Sequence, residues 1–419
     1  MKIAKALLVN PDRNFWYGAV AVAVSIFVFA YSTRFGQISI LAYYACWLPL
    51  VLVDYKRALG DYRRFFWIIA FAVLACLSMF WSAAPGVTAR AGIQLLSHVI
   101  CALIAARTIS VRTLNIGALG GILMVVLFSI AFGQYNLDPI DGTYSFVGAF
   151  SSKNQLGLFS SLGIYFAFTA VAVQHEHGLW RLLAIFCGLL CAYTLLAAQS
   201  ATSVLAIGAT LAMLISLKLA MLFSPSARRG GLVAGMAIGL LLIFVGLNMG
   251  AADAVLGAFG KDSTLTGRTY LWQQGWEAAM QSFWFGVGYQ GYWVQGFSEA
   301  ERLWQEFYIG SRSGFHFHNT YIEVLVELGL AGILAIAVLI VRVPFGLLLR
   351  LIDARRDPAS FTLLGIAVMF LIRSFVEVDV INPYVVGSFL VYYAAGQLVL
   401  PQRAPQIATA ARLLRPGTA

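Results

Sequence analysis

The chain has 419 residues, 60% of them hydrophobic and only 11% charged, with a mean hydropathy of +0.82. Soluble domains carry about a quarter charged residues, so this chain cannot cover a water-soluble surface and soluble function classes are excluded. The formal net charge of +10 reads as the basic excess that membrane proteins keep in cytoplasmic loops, not as a nucleic-acid footprint.

Apolar runs in chain order predict an all-α polytopic membrane protein, one integral domain over residues 1–419. Twelve spans are expected, near 15–31, 37–53, 65–81, 91–107, 114–133, 155–174, 180–197, 201–222, 230–250, 319–341, 359–375 and 383–400. Lys2, Lys5 and Arg13 precede the first run, as in a signal sequence. The run is long and no small-residue cleavage site follows, so it reads as an uncleaved first span. Cys46, Cys76, Cys101, Cys187 and Cys191 all lie inside apolar runs and read as packing residues.

Orientation follows from the positive-inside rule. With a cytoplasmic N-terminus, only Arg34, Arg90, Lys153, Lys261, Arg268, Arg302, Arg312 and Arg373, eight of the 28 Lys and Arg, fall outside. The inverted threading would expose the other 20 of the 28. Both termini are therefore expected in the cytoplasm of a bacterial inner membrane. No internal repeat suggests a transporter built from inverted halves.

Residues 251–318 stand apart as a long periplasmic connection between spans 9 and 10. Its aromatic spacing from Gly267-Arg268 through Trp276 suits a short amphipathic helix. The stretch Gly286-Val287-Gly288-Tyr289-Gln290-Gly291-Tyr292-Trp293 is rich in turn residues. Trp272, Tyr289 and Trp293 are candidates either for an interfacial aromatic belt or for a platform under sugar rings.

In this threading every even-numbered span begins at the outer face, where its free N–H groups and partial positive charge point outward. Arg90 precedes span 4. Lys153-Asn154 precede span 6, and Ser200, Thr202 and Ser203 open span 8. His318-Asn319 open span 10. Cations at helix N-termini oppose the dipole, which makes sense where an anion sits among them. Arg373 lies four residues before Glu377, an ordinary helical pair. Glu327 lies two turns into span 10 and must be paired or protonated, with Arg373 as one candidate partner. His316-x-His318 has the spacing of a metal pair, but with no further Cys or His near in sequence no metal is assigned. His318 fits a general base or a phosphate ligand, and the sequence leaves both open.

Four stretches carry a resemblance. Trp81-Ser82-Ala83-Ala84-Pro85 with Thr88 and Arg90 is one. Gly148-Ala149-Phe150-Ser151-Ser152-Lys153-Asn154-Gln155-Leu156-Gly157 is the second. The third is Gly267-Arg268 with Trp272, followed by Phe285-Gly286-Val287-Gly288-Tyr289 and Trp293. The fourth is His318-Asn319-Thr320-Tyr321 with Glu327, Gly329 and Gly332. Arg373-Ser374 and Glu377 add to them. In these the chain resembles the bacterial O-antigen ligase/polymerase family, and it is most similar to the exopolysaccharide-polymerase branch. Members acting as ligases often carry an arginine near the position of Ala201 or Thr202. Here there is none, which leaves Lys153 as a candidate substitute.

The resemblance implies a multi-spanning fold of the glycosyltransferase C type and metal-independent glycosyl transfer without a cofactor. The implied donor is a glycan on undecaprenyl diphosphate, and the acceptor a glycan or lipid-linked hydroxyl. Membrane lipids and a copolymerase or chain-length regulator are the expected partners. His318 and Arg268 are then the expected catalytic residues, with Arg90, Lys153, Arg268 and Arg373 on the diphosphate. Asn154, Ser200, Ser203, His316, Asn319, Tyr321 and Glu327 are expected in support. Polymerase is the first reading. A ligase joining glycan to lipid A core or to protein, and a flippase for the lipid-linked unit, are the alternatives.

Overall fold

The structure is a computed structural model that describes residues 4–60, 62–137, 142–224, 226–231, 234–235, 239, 245, 267–353 and 357–400. Helix dominates, because backbone polar groups in a bilayer must be satisfied within the segment that carries them. In chain order the main helices are α1 (Phe15–Trp47), α2 (Phe66–Leu77), α3 (Pro85–Thr108), α4 (Val111–Phe132), α5 (Lys153–Phe168), α6 (Gly178–Ala198) and α7 (Ala201–Ala220). Two helices of the long connection follow, α8 (Arg268–Gln281) and α9 (Ser298–Glu306). Then come α10 (Thr320–Asp353), α11 (Pro358–Arg373) and α12 (Val386–Val399).

Among the described residues eight segments are long and apolar enough to cross a membrane, and α11 and α12 are shorter apolar helices. One of the eight, Phe15–Val53 with 39 residues, would be roughly 58 Å long if straight, about twice a bilayer core. It folds back instead. Gly36 takes φ +64°, a left-handed value that costs glycine nothing. The Tyr17 hydroxyl donates to the Cys46 carbonyl, and the Trp47 indole donates to the Ser25 hydroxyl at 2.9 Å. The expected boundary between the first two spans falls at this turn. The expected ninth span, 230–250, lies largely outside the described residues, as does 251–266 of the long connection.

The all-α expectation needs one amendment. Gln134–Leu137 (β1) pairs antiparallel with Tyr144–Gly148 (β2), with Tyr135 opposite Phe146 and Leu137 opposite Tyr144. Aromatic residues alternating on one face favour a strand pair over a helix. The hairpin leads directly into the start of α5.

Basic side chains gather at one end of the bundle. Arg107 donates to the carbonyls of Arg57 and Lys56 at 2.7 and 3.1 Å, Arg112 pairs with Glu176, and Lys218 reaches the Ala172 carbonyl at 2.8 Å. All are residues that the charge count puts on the inner side.

The opposite end is built around a break in α10. Gly329 has φ +63°, and the turn that follows α8 fills the gap. Leu330 and Ala331 N–H donate to the Phe283 and Trp284 carbonyls at 2.8 and 3.2 Å. Val287 and Gly288 N–H donate to the Val326 and Glu327 carbonyls at 3.0 and 2.8 Å. A Cβ on Gly329 would meet the Phe285 nitrogen at 2.4 Å, and one on Gly286 would meet the Glu327 carbonyl carbon at 2.3 Å. Trp81 secures the same turn through its indole N–H to the Phe285 carbonyl at 2.9 Å. Three of the sequence motifs thus interlock as backbone, with the chemistry-bearing residues held beside them.

Candidate active site

The start of α10 is fixed before any chemistry is considered. The Asn319 carboxamide accepts the N–H groups of Tyr321 and Ile322 at 2.9 and 3.2 Å, an N-cap. Glu323 reaches back to the preceding loop, accepting the Phe317 N–H at 2.7 Å and the Trp293 indole at 3.0 Å. The Trp272 indole donates to the Phe317 carbonyl at 2.9 Å. Held on both sides, His318 adopts φ +51°, unusual for a non-glycine residue. The Thr320 N–H donates to the Ser374 carbonyl at 2.9 Å, and the Tyr321 and Ser374 hydroxyls meet at 3.0 Å. The start of α10 is thereby stitched to the end of α11.

Glu377, just past α11, is the hub. Its Oε1 accepts from Arg268 Nη2 at 3.0 Å and from Asn154 Nδ2 at 2.9 Å, and its Oε2 lies 3.4 Å from His318 Nδ1. Arg268 also donates through Nη1 to the Val376 carbonyl at 2.7 Å. Asn154 accepts from the Ser200 hydroxyl at 2.9 Å, and Ser200 lies 3.0 Å from the Ser203 hydroxyl. Arg373 donates to Ser203 at 3.2 Å and to Asp379 at 2.5 Å. The starts of α5, α7, α8 and α10 and the end of α11 therefore meet at one place.

The charges compensate one another. Arg268 and Arg373 face Glu377 and Asp379, as desolvated charges require. Burial alone would push the Glu377 carboxyl up. The hydrogen bond and charge of His318, then the charges of Arg268 and Arg373, outweigh it and hold that carboxyl well below its ordinary range. His316 is shifted down as well, which for an imidazole favours the neutral form. Its protein surroundings push it down to about 3, and the neighbouring His318 adds to the shift.

Nine of the fifteen predicted residues come together here: Arg268, Arg373, His316, His318, Asn154, Ser200, Ser203, Asn319 and Tyr321. Lys153 sits beside Asn154 at the start of α5, with its ammonium at 2.5 Å from the Thr143 hydroxyl of the hairpin. Arg90 is exposed on α3. Among the described residues no hydrogen bond or ion pair joins it to the cluster. Three expectations are corrected. Arg373 is only 1% exposed and turned to Asp379 and Ser203, so it braces the site and is not open to a ligand. Nor does an ion pair join it to Glu327 among the described residues; its carboxylate partner is Asp379. Tyr289 is fully buried, its hydroxyl donating to the Ile381 carbonyl at 2.7 Å, and presents no ring face to a sugar. The half-buried Trp272 and Trp293 spend their indole N–H groups on holding the loop.

Sequence reasoning missed the centrality of Glu377. The signal was present: two carboxylates, Glu377 and Asp379, directly follow an arginine at a span end, and an arginine taken out of water needs a counter-charge. His316, His318 and Glu377 bring one donor atom each within 4.8 Å of one another. Two imidazoles and a carboxylate are a set that borderline cations accept. The guanidinium already bound to that carboxylate opposes a further positive charge there.

The O-antigen ligase family model matches residues 186–337, a stretch that includes Arg268 and His318. The exopolysaccharide production protein ExoQ of Rhizobium meliloti (strain 1021) is 57% identical over 403 residues, 96% of this chain and 93% of that protein. The chain belongs to the O-antigen ligase family. As a family member it is a multi-pass membrane protein of exopolysaccharide or O-antigen assembly, of polymerase or ligase type.

Proposed function

We propose that the protein polymerises an exopolysaccharide at the outer face of the inner membrane. It moves a growing glycan from undecaprenyl diphosphate onto a hydroxyl of the next lipid-linked repeat. The observation that carries this reading is the meeting of Arg268 and His318 through Glu377, where the ends of five helices converge. A glycosyl diphosphate needs positive charge on its leaving group and a base for the incoming hydroxyl, and no covalent intermediate is required.

In the resting state Arg268 is neutralised by Glu377, so the donor phosphates take over part of that guanidinium on binding. Lys153, Arg90 and the N-terminal N–H groups of α5, α7, α8 and α10 add positive potential. His318 removes the acceptor proton. No metal or cofactor takes part in this scheme. Twelve crossings of the glycosyltransferase C type, with both termini in the cytoplasm, put the cluster on the periplasmic side. The basic residues gathered at the other end of the bundle support that orientation.

Polymerase is favoured over ligase by the lack of an arginine at Ala201 or Thr202, and the ExoQ relative is named for exopolysaccharide production. Deletion in the native host separates the two. A polymerase leaves single lipid-linked repeats to accumulate; a ligase leaves long lipid-linked chains. Accumulation of long chains would overturn the polymerase reading.

A further inference from the structure

We infer that Glu377 is a positioning residue that holds His318 by its Nδ1 edge and leaves Nε2 to serve the acceptor hydroxyl. This rests on the glycosyl-transfer reading above and deepens it. Glu377 is 5% exposed, and its orientation is set by groups from two other elements. Arg268 of α8 and Asn154 of α5 both bind Oε1, at 3.0 and 2.9 Å. Its backbone is tied down as well, since the Thr320 hydroxyl donates to the Glu377 carbonyl at 2.8 Å and the Glu377 N–H to the Arg373 carbonyl at 2.8 Å. Only Oε2 remains, and it faces Nδ1 of His318 at 3.4 Å.

A base whose second nitrogen is held by a fixed carboxylate has one tautomer and one orientation, the logic of a nucleophile–base–orienter chain. Among the described residues, the other rings beside the imidazole are those of Phe315, 6.1 Å away between centroids, and His316, at 4.2 Å. Arg268, Arg373 and Asp379 stand behind Glu377. None of these offers a second carboxylate directly to His318. In the step itself the acceptor O–H proton passes to Nε2 and the acceptor oxygen bonds to the anomeric carbon. The bond from that carbon to the diphosphate oxygen breaks, and the departing diphosphate keeps its electron pair. Glu377 stays ionised and balances the imidazolium until its proton leaves to solvent.

The test uses the full-length protein in nanodiscs with a synthetic undecaprenyl-diphosphate-linked repeat. E377Q is expected to lower kcat by on the order of 10²-fold. It should also move the acid limb of kcat to lower pH, because the imidazolium has lost its counter-charge. E377D is expected to recover part of kcat and return the limb towards the wild-type position. If E377Q does not fold, E377D against wild type decides by the same two readings. An active wild type whose E377Q keeps the wild-type limb, or whose E377D rescues nothing, overturns the positioning role alone. A wild type that forms no glycosidic bond overturns the transfer reading and this inference together.

Discussion

Arg268 binds a carboxylate and a backbone carbonyl through two separate nitrogens, a fork that a lysine cannot copy. R268A is expected to reduce turnover about 10²–10³-fold, and R268K to recover little of it, as read from initial rates of chain elongation. A lysine variant near wild-type rate would show that charge alone suffices. The buried ionisable groups also set the response to acid. His316 is held near 3 in the fold against an ordinary 6.5, so the unfolded chain binds the extra proton between those values. Its contribution is complete above pH 6.5 and is lost as pH falls, by at most about 1.4 kcal/mol per unit. Glu377, held below its ordinary range, acts in the same direction further into acid. Melting temperature in detergent should therefore drop from pH 7 to pH 5, and H316N should flatten that drop. Of these residues, Arg268, His318 and Asn154 were legible in the sequence because each sits at a helix start or in a motif. The role of Glu377 was not. Its partners are 109, 223 and 59 residues away, and a spacing of four from Arg373 suggested a local pair that the fold does not make.

At the scale of elements, the break in α10 and the turn that fills it are one unit. G329A adds a Cβ within 2.4 Å of the Phe285 nitrogen on a backbone at φ +63°. The strain is expected to cost about 1–3 kcal/mol and to show as a lowered melting temperature. Activity should fall with it, although Gly329 touches none of the reacting groups. A variant with wild-type melting and rate would mean that the break is incidental. Asn319 caps α10, and N319A should cost about 1 kcal/mol by the same measurement. The multi-pass helical architecture was readable because apolar length is a direct consequence of bilayer thickness. The β1–β2 hairpin was not, since four- and five-residue strands between long helices give too short an alternation to stand out. Tyr289 was misjudged for a related reason. Composition marks a loop as aromatic, but only packing decides which rings are spent on holding it together.

For the whole molecule, the proposed threading would put the Arg268–Glu377–His318 cluster and the Lys56–Arg107–Arg112 end on opposite sides of the membrane. Single cysteines introduced at Ser298 and Lys56, in a background lacking the five native cysteines, test this in intact cells. A membrane-impermeant maleimide should label the first and spare the second; the reverse pattern would invert the threading. The central claim is that this cluster is where a lipid-diphosphate-linked glycan is joined to its acceptor. Elongation of an undecaprenyl-diphosphate-linked repeat by purified protein in nanodiscs, wild type beside H318A, tests it most directly. The expected result is a ladder of longer lipid-linked glycans from wild type without added metal, slowed about 10²–10⁴-fold in H318A. Equal ladders from both proteins, or movement of the lipid-linked repeat across the bilayer with no glycosidic bond formed, would contradict it.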